Sequence, residues 1–159
     1  MNKNNENMTN QFLFFKLDDE VYAINSYNVI EVVDFKAIRK VPKSNACIKG
    51  ITNIRGELIA VVDPKIRFGG DASEVKKKTS FIIISIFDKS KEKNVSIAFM
   101  VDEILVVNEI TMSEILEAPT FGTKLEKRFI QSIIMFNNDY VSILNINTVL
   151  DINELSIRG

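Results

Sequence analysis

Strand-length apolar runs alternate with polar reversals along this chain, and the spacing predicts a mostly β protein. Phe12-Leu13-Phe14-Phe15 sits within the run Gln11 to Leu17, Asp18-Asp19-Glu20 breaks it, and Val21-Tyr22-Ala23-Ile24 returns. Asn25-Ser26-Tyr27 suits a short helical turn leading into the strand Val29-Ile30-Glu31-Val32-Val33. The most structured stretch is Ile48 to Pro64: Ile48 to Ile54 rises, Arg55-Gly56-Glu57 reverses, and Leu58 to Val62 returns. Gly56 fits a turn position with positive φ, where a side chain would clash. Asp63 is an expected N-cap with Pro64 in the first helical position, and Gly69-Gly70 ends that helix after a turn or so. Further on, Phe81 to Phe87 and Val95 to Val101 flank a charged turn, and Ile130 to Leu144 forms a last hairpin tipped by Asn137-Asn138-Asp139. Thr111-Met112-Ser113-Glu114 has capping-box spacing, which predicts a short helix through Ile115 and Leu116.

The two halves of this pattern match. When Ile48 is laid on Ile130, Ile51 falls on Ile133, Ile54 on Phe136, Leu58 on Tyr140, Val61 on Ile143 and Asp63 on Asn145 without a gap. Upstream, Tyr22-Ala23-Ile24 overlays Ile97-Ala98-Phe99, Val29-Ile30 overlays Ile104-Leu105, and Phe12 to Phe15 overlays Phe81 to Ile84. Pro42 and Pro119 take similar places. Chance explains any one overlap; the shared order of elements indicates a duplicated unit of about five strands. Repeat units of about 11–70 and 80–150 are expected within one domain, 11–152, with a disordered polar tail at 1–10 and a C-terminal tail at 153–159. Each unit alone is too small to bury much surface, so the two are expected to share an apolar interface. Closing each sheet into a barrel removes unpaired edges.

Composition narrows the chemistry. The 159 residues are 46% apolar and 26% charged, with a net charge of −1, so no global charge favours nucleic acid or an anionic membrane. The apolar runs are too short to span a bilayer, and Met1 to Asn10 lacks the apolar core of a signal peptide, which leaves the cytoplasm as the default. Histidine is absent, removing the commonest general base and zinc ligand, and the single Cys47 reads as a small packing residue. Asp63, Asp102 and Glu103 each fit a strand end or turn, and no phosphate loop or paired nucleophile and base is present, so an enzyme is not expected and no cofactor or metal is implied.

The stretch Gly50-Ile51-Thr52-Asn53-Ile54-Arg55-Gly56-Glu57, with Val61-Val62-Asp63 after it, resembles the hallmark of the CheW family of chemotaxis coupling proteins: G-[apolar]-x-N-[apolar]-R-G, then an apolar strand ending in Asp. The likeness continues through Ala98 to Ile104 and the hairpin Ile130 to Leu150. It implies an all-β fold of two pseudo-symmetric five-stranded SH3-like barrels packed across a shared hydrophobic core, with a few short helices. It also implies a non-enzymatic adaptor that couples the cytoplasmic tip of chemoreceptors to the regulatory domain of the histidine kinase CheA. Ala60 and Pro64 depart from the usual proline and leucine, and Ser132 replaces a frequent glycine.

The resemblance implies that Glu31 and Arg55 form an ion pair at the edge of a receptor groove; otherwise each is an ordinary solvated charge. Val29, Val32, Val101 and Ile104 are candidate groove walls for an amphipathic receptor helix, with ordinary core as the alternative for each. Gly50, Asn53, Gly56 and Asp63 are expected to shape the hairpin. Lys76 to Lys78 and Lys89, Lys91 and Lys93 read as solvated loop charges. The rival class is a small-barrel nucleic-acid or ligand-binding protein, which would need lysines interleaved with stacking aromatics; none are seen.

Overall fold

The computed structural model describes residues 8–118 and 125–157; Pro119, the expected tail before residue 8, and residues 158–159 lie outside the described residues. Among the described residues ten strands build two five-stranded sheets. They are β1 (Thr9–Leu17), β2 (Glu20–Asn25), β3 (Val29–Asp34), β4 (Ile48–Ile54), β5 (Glu57–Val62), β6 (Ser80–Asp88), β7 (Lys93–Val101), β8 (Glu103–Thr111), β9 (Ile130–Phe136) and β10 (Asp139–Leu144). One sheet runs β8-β1-β2-β10-β9 and the other β3-β6-β7-β5-β4.

Replacing each strand of the first sheet by its counterpart in the other repeat (β1 by β6, β2 by β7, β8 by β3, β9 by β4, β10 by β5) reproduces the second order. The equivalence holds residue by residue. Tyr22 lies opposite Ser142 and Ala23 opposite Ile143, just as Ile97 lies opposite Ala60 and Ala98 opposite Val61. The duplication predicted from the sequence is therefore present in the register.

The repeats and the barrels do not coincide, however. Each sheet takes two strands from one repeat and three from the other. The compact units are the chain through Tyr27 with Ile104–Val149, and Asn28–Glu103 with the chain from Leu150 onward. The expectation that residues 11–70 and 80–150 each form a barrel is corrected accordingly. The cause is local: after the single 3-10 turn Ser26–Asn28, β3 pairs with β6 instead of returning to its own repeat.

In the first unit Phe12, Phe14, Ala23, Ile110, Ile134, Val141 and Ile143 form one buried cluster, with Phe136 stacked on Phe14 at 4.3 Å. In the second, Ile54, Ile59, Val61, Phe81, Ile83, Ala98 and Met100 form another, with Phe35 and Ile38 packed on it. The opposite faces of β1 and β6 are buried as well, through Leu13, Phe15, Ile82 and Ile84. This explains why those strands read as continuous apolar runs without alternation.

The same device closes each sheet. The segment after the edge strand β3 crosses to the other edge, where Arg39 and Ile51 exchange backbone hydrogen bonds of 2.8 Å. In the first unit Leu116 and Ile133 do the same at 2.7 and 2.9 Å. Among the described residues the α-helices are single turns: α1 (Pro64–Arg67), α2 (Ile146–Val149) and α3 (Ile152–Leu155).

Asp63 caps α1 as expected, accepting from the Lys65 N–H at 3.0 Å. The capping box at Thr111 forms, but the turn it starts is a 3-10 turn, Met112–Glu114, and Ile115 is already extended. Two tails are shorter than expected. Thr9 and Asn10 belong to β1, and residues 153–157 are folded, with Leu155 and Ile157 buried.

Candidate functional site

β3 is an edge strand, paired only with β6, and its residues alternate between half-buried and exposed. Val29, Glu31 and Val33 are half-buried; Ile30 is 54% and Val32 41% exposed. At the sheet's other edge, the β4–β5 turn places Arg55 and Gly56 at φ 54° and 84°. Two successive positive φ values are the signature of a type I′ reversal, whose twist matches that of the flanking strands. Asn137 and Asn138 repeat it in the second hairpin at 51° and 66°.

From that turn Arg55 reaches across to Glu31. Its Nε donates to Oε2 at 3.0 Å and its Nη2 to Oε1 at 2.8 Å, a two-pronged pair that links the two edge strands. The pair pushes the guanidinium pKa up, through the hydrogen bond first and charge attraction second. Arg55 is 78% exposed and Glu31 only 24%, so the carboxylate is walled and the cation faces outward. The result is a fixed charge pair on the half-buried face of β3, with Ile30 and Val32 exposed on the alternate face.

The expected groove walls fare unequally. Val32 is exposed and Val29 half-buried on the same strand as Glu31. Val101 is 1% exposed and is not a wall. β7 lies between β6 and β5 in the interior of its sheet, where both faces are covered. Ile104 is half-buried and is the second residue of β8, in the first unit. Ile30 was missed by sequence reasoning; period-two alternation from Val32 puts it on the exposed face.

The hairpin-shaping residues have distinct tasks. Gly50 is buried at φ +147°, and a Cβ there would sit 2.1 Å from the Arg39 carbonyl oxygen. The Asn53 side chain accepts the Gly56 N–H at 2.8 Å. Asp63 acts away from the turn: fully buried, it accepts the Ser73 N–H and hydroxyl, both at 2.7 Å, and so pins the loop before β6. Among the described residues there is no cluster of His, Cys, Asp or Glu able to hold a metal, and no helix long and apolar enough to cross a membrane. Burial pushes the Cys47 thiol pKa up, which makes it a poor nucleophile.

Two five-stranded SH3-like barrels with a few short helices are the fold of a scaffold class of protein. The CheW-like domain model matches residues 11–154, and the chain belongs to that chemotaxis scaffold family. It is 22% identical over 152 residues to the chemotaxis protein CheW of Klebsiella aerogenes, covering 96% of this chain and 88% of that one. It is 28% identical over 141 residues to CheW of Bacillus subtilis, covering 89% and 86%. The crystal structure of the scaffolding protein TtCheW from Thermoanaerobacter tengcongensis superposes with a TM-score of 0.79 at 27% identity, covering 92% of this chain and 95% of that one.

Proposed function

We propose that this protein is a chemotaxis adaptor, held at membrane-associated receptor arrays from the cytoplasmic side, that couples chemoreceptor tips to the histidine kinase CheA. The observation that carries the reading is the Glu31–Arg55 pair on an edge strand whose alternate positions expose Ile30 and Val32. An amphipathic receptor helix would set apolar side chains against the two aliphatic residues, and the charge pair would fix its register. The kinase's regulatory domain would dock on a different surface. To transmit a signal, affinity for each partner must depend on the state of the other, as any allosteric coupling requires. Single contacts of this kind are weak and gain strength by multivalency.

The test uses Arg55→Asn, because asparagine tolerates positive φ and so keeps the turn while losing the cation. Titration of the full chain with a receptor-tip fragment should weaken on the order of tenfold in the variant. Binding to the CheA regulatory domain should stay unchanged. Equal loss of both interactions, or of neither, contradicts the assignment of Glu31 and Arg55 to the receptor face.

A further inference from the structure

Divided in the loop between α1 and β6, the chain falls into two halves that each lack a pair of strands. In the first sheet the hairpin β1–β2, from the amino-terminal half, lies between β8 and β10, both from the carboxy-terminal half. In the second sheet the roles reverse, and the hairpin β6–β7 of the carboxy-terminal half lies between β3 and β5 of the amino-terminal half. Each half thus holds a slot two strands wide and supplies the hairpin that fills the other's slot.

The seams join backbone and side chains together. β3 pairs with β6 from Val29–Ile84 to Asp34–Ser80, β5 with β7 from Ala60–Ile97 to Val62–Phe99, and β10 with β2 through Ser142–Tyr22 and Ile143–Ala23. Both buried clusters are mixed. Phe12, Phe14 and Ala23 share one with Ile134, Val141 and Ile143, and Ile54, Ile59 and Val61 share the other with Phe81, Ile83 and Ala98. Polar links cross a seam as well: Asp63 holds Ser73 through two hydrogen bonds of 2.7 Å, and the Lys65 Nζ lies 2.9 Å from Asp102, both side chains largely buried. A half without its complement would bare strand edges on both sides of its slot, and separate hairpins do not hold a sheet. The covalent link is slight by comparison. Asp71 and Ala72 are exposed and lie outside any strand or helix.

We propose that the two halves are obligate partners, folding only on each other, and that the loop before β6 can be cut without separating them. The recognition is strand insertion: main-chain hydrogen bonds bind each hairpin in its slot, and the buried aliphatic and phenylalanine side chains set its register. Cutting changes the order of the folding reaction. The intact chain folds within one molecule, so its midpoint is independent of concentration; the cut complex folds by association, so its midpoint falls on dilution. The inference stands apart from the adaptor reading, because it rests on strand order and seam contacts and uses no docking surface.

A protease recognition site inserted between Asp71 and Ala72 of the full chain tests it. After cleavage the fragments should elute together in native buffer, part in about 8 M urea, and regain the parent's circular dichroism when urea is removed from the mixture. Neither fragment should regain it alone. The thermal midpoint of the cut complex should drop with each tenfold dilution between about 100 μM and about 1 μM, while that of the uncut form stays constant. If the insertion itself disturbs the uncut form, limited digestion of the unmodified chain at the exposed Lys76 to Lys78 by a lysine-specific protease allows the same measurements. A fragment that refolds by itself overturns the proposal. So do fragments that separate in native buffer, or a cut complex whose midpoint ignores dilution.

Discussion

The side-chain oxygen of Asn53 accepts the backbone N–H of Gly56 at 2.8 Å, across the turn that carries Arg55. Arg55 is held there at φ 54°, a left-handed conformation unfavourable for a long side chain. The turn is thus held locally, by a side chain two residues before the guanidinium aimed at Glu31.

Asn53→Ala should therefore cost about 0.5–1.5 kcal/mol, the worth of one hydrogen bond, and lower Tm by a few degrees. Gly56→Ala should cost about 1–2 kcal/mol through φ alone, because the added Cβ meets nothing within 4 Å. Both variants should loosen the Arg55–Glu31 pair, read as faster exchange of the Arg55 Nε proton by NMR. Unchanged exchange in both would mean that the turn does not position the guanidinium.

Gly50 and Ser132 hold the same place in the two repeats, and the structure predicts opposite tolerance. At Gly50 a Cβ would collide with the Arg39 carbonyl that accepts the Ile51 N–H, so the close approach that shuts the second barrel requires glycine. Gly50→Ala should cost about 3 kcal/mol or more and break the Arg39–Ile51 bridge. Ser132 already carries a side chain, and the Leu116–Ile133 bridge forms beside it. Ser132→Ala should cost less than about 1.5 kcal/mol. Urea denaturation of the two variants side by side checks the contrast.

Asp63 reads as a helix cap from the sequence, and the structure gives it a second task. Its carboxylate takes three hydrogen bonds, two of them from Ser73, with the Lys49 Nζ at 3.9 Å. Asp63→Ala should destabilise the fold by about 3 kcal/mol or more, because buried hydrogen bonds to a charged group are lost together. Amide exchange should speed up at Ser73 and its loop before it does in β4 or β5. Uniform acceleration across both would show that the carboxylate supports the whole sheet.

The strands, the reversals and the duplication were legible because apolar runs and turn residues act locally, and because Tyr22–Ser142 and Ile97–Ala60 preserve one register. The exchange of strands between the repeats was not. Both arrangements bury the same residues, and no local signal says whether β3 pairs within its own repeat or with β6. Val101 misled for a related reason: a valine ending an apolar strand looks the same at an edge as between two neighbours. Folding of α3 was also hidden, since Leu155 and Ile157 are isolated apolar residues whose burial depends on distant chain. Glu31 and Arg55 and their pairing were implied by the resemblance, and the pair forms because the barrel brings the two edges together.

Tyr22 gives the fold a weakness in alkali. Burial, reinforced by the nearby carboxylates of Glu20 and Asp18, pushes its phenol pKa up from 10.0 to about 12. The sign follows from which state holds the proton. Below pH 10 both folded and unfolded chains keep it and stability is unaffected; between 10 and about 12 the unfolded chain releases it first, so stability falls as pH rises. The slope should stay below about 1.4 kcal/mol per pH unit, since the ring is only half-buried and solvent screens the two carboxylates. Tyr22→Phe removes the titrating group, and the ring keeps its place 6.1 Å from Phe15. Urea midpoints measured from about pH 9 to about pH 11.5 should therefore decline less steeply in the variant than in the parent. Identical slopes would show that the Tyr22 proton is not what alkali attacks.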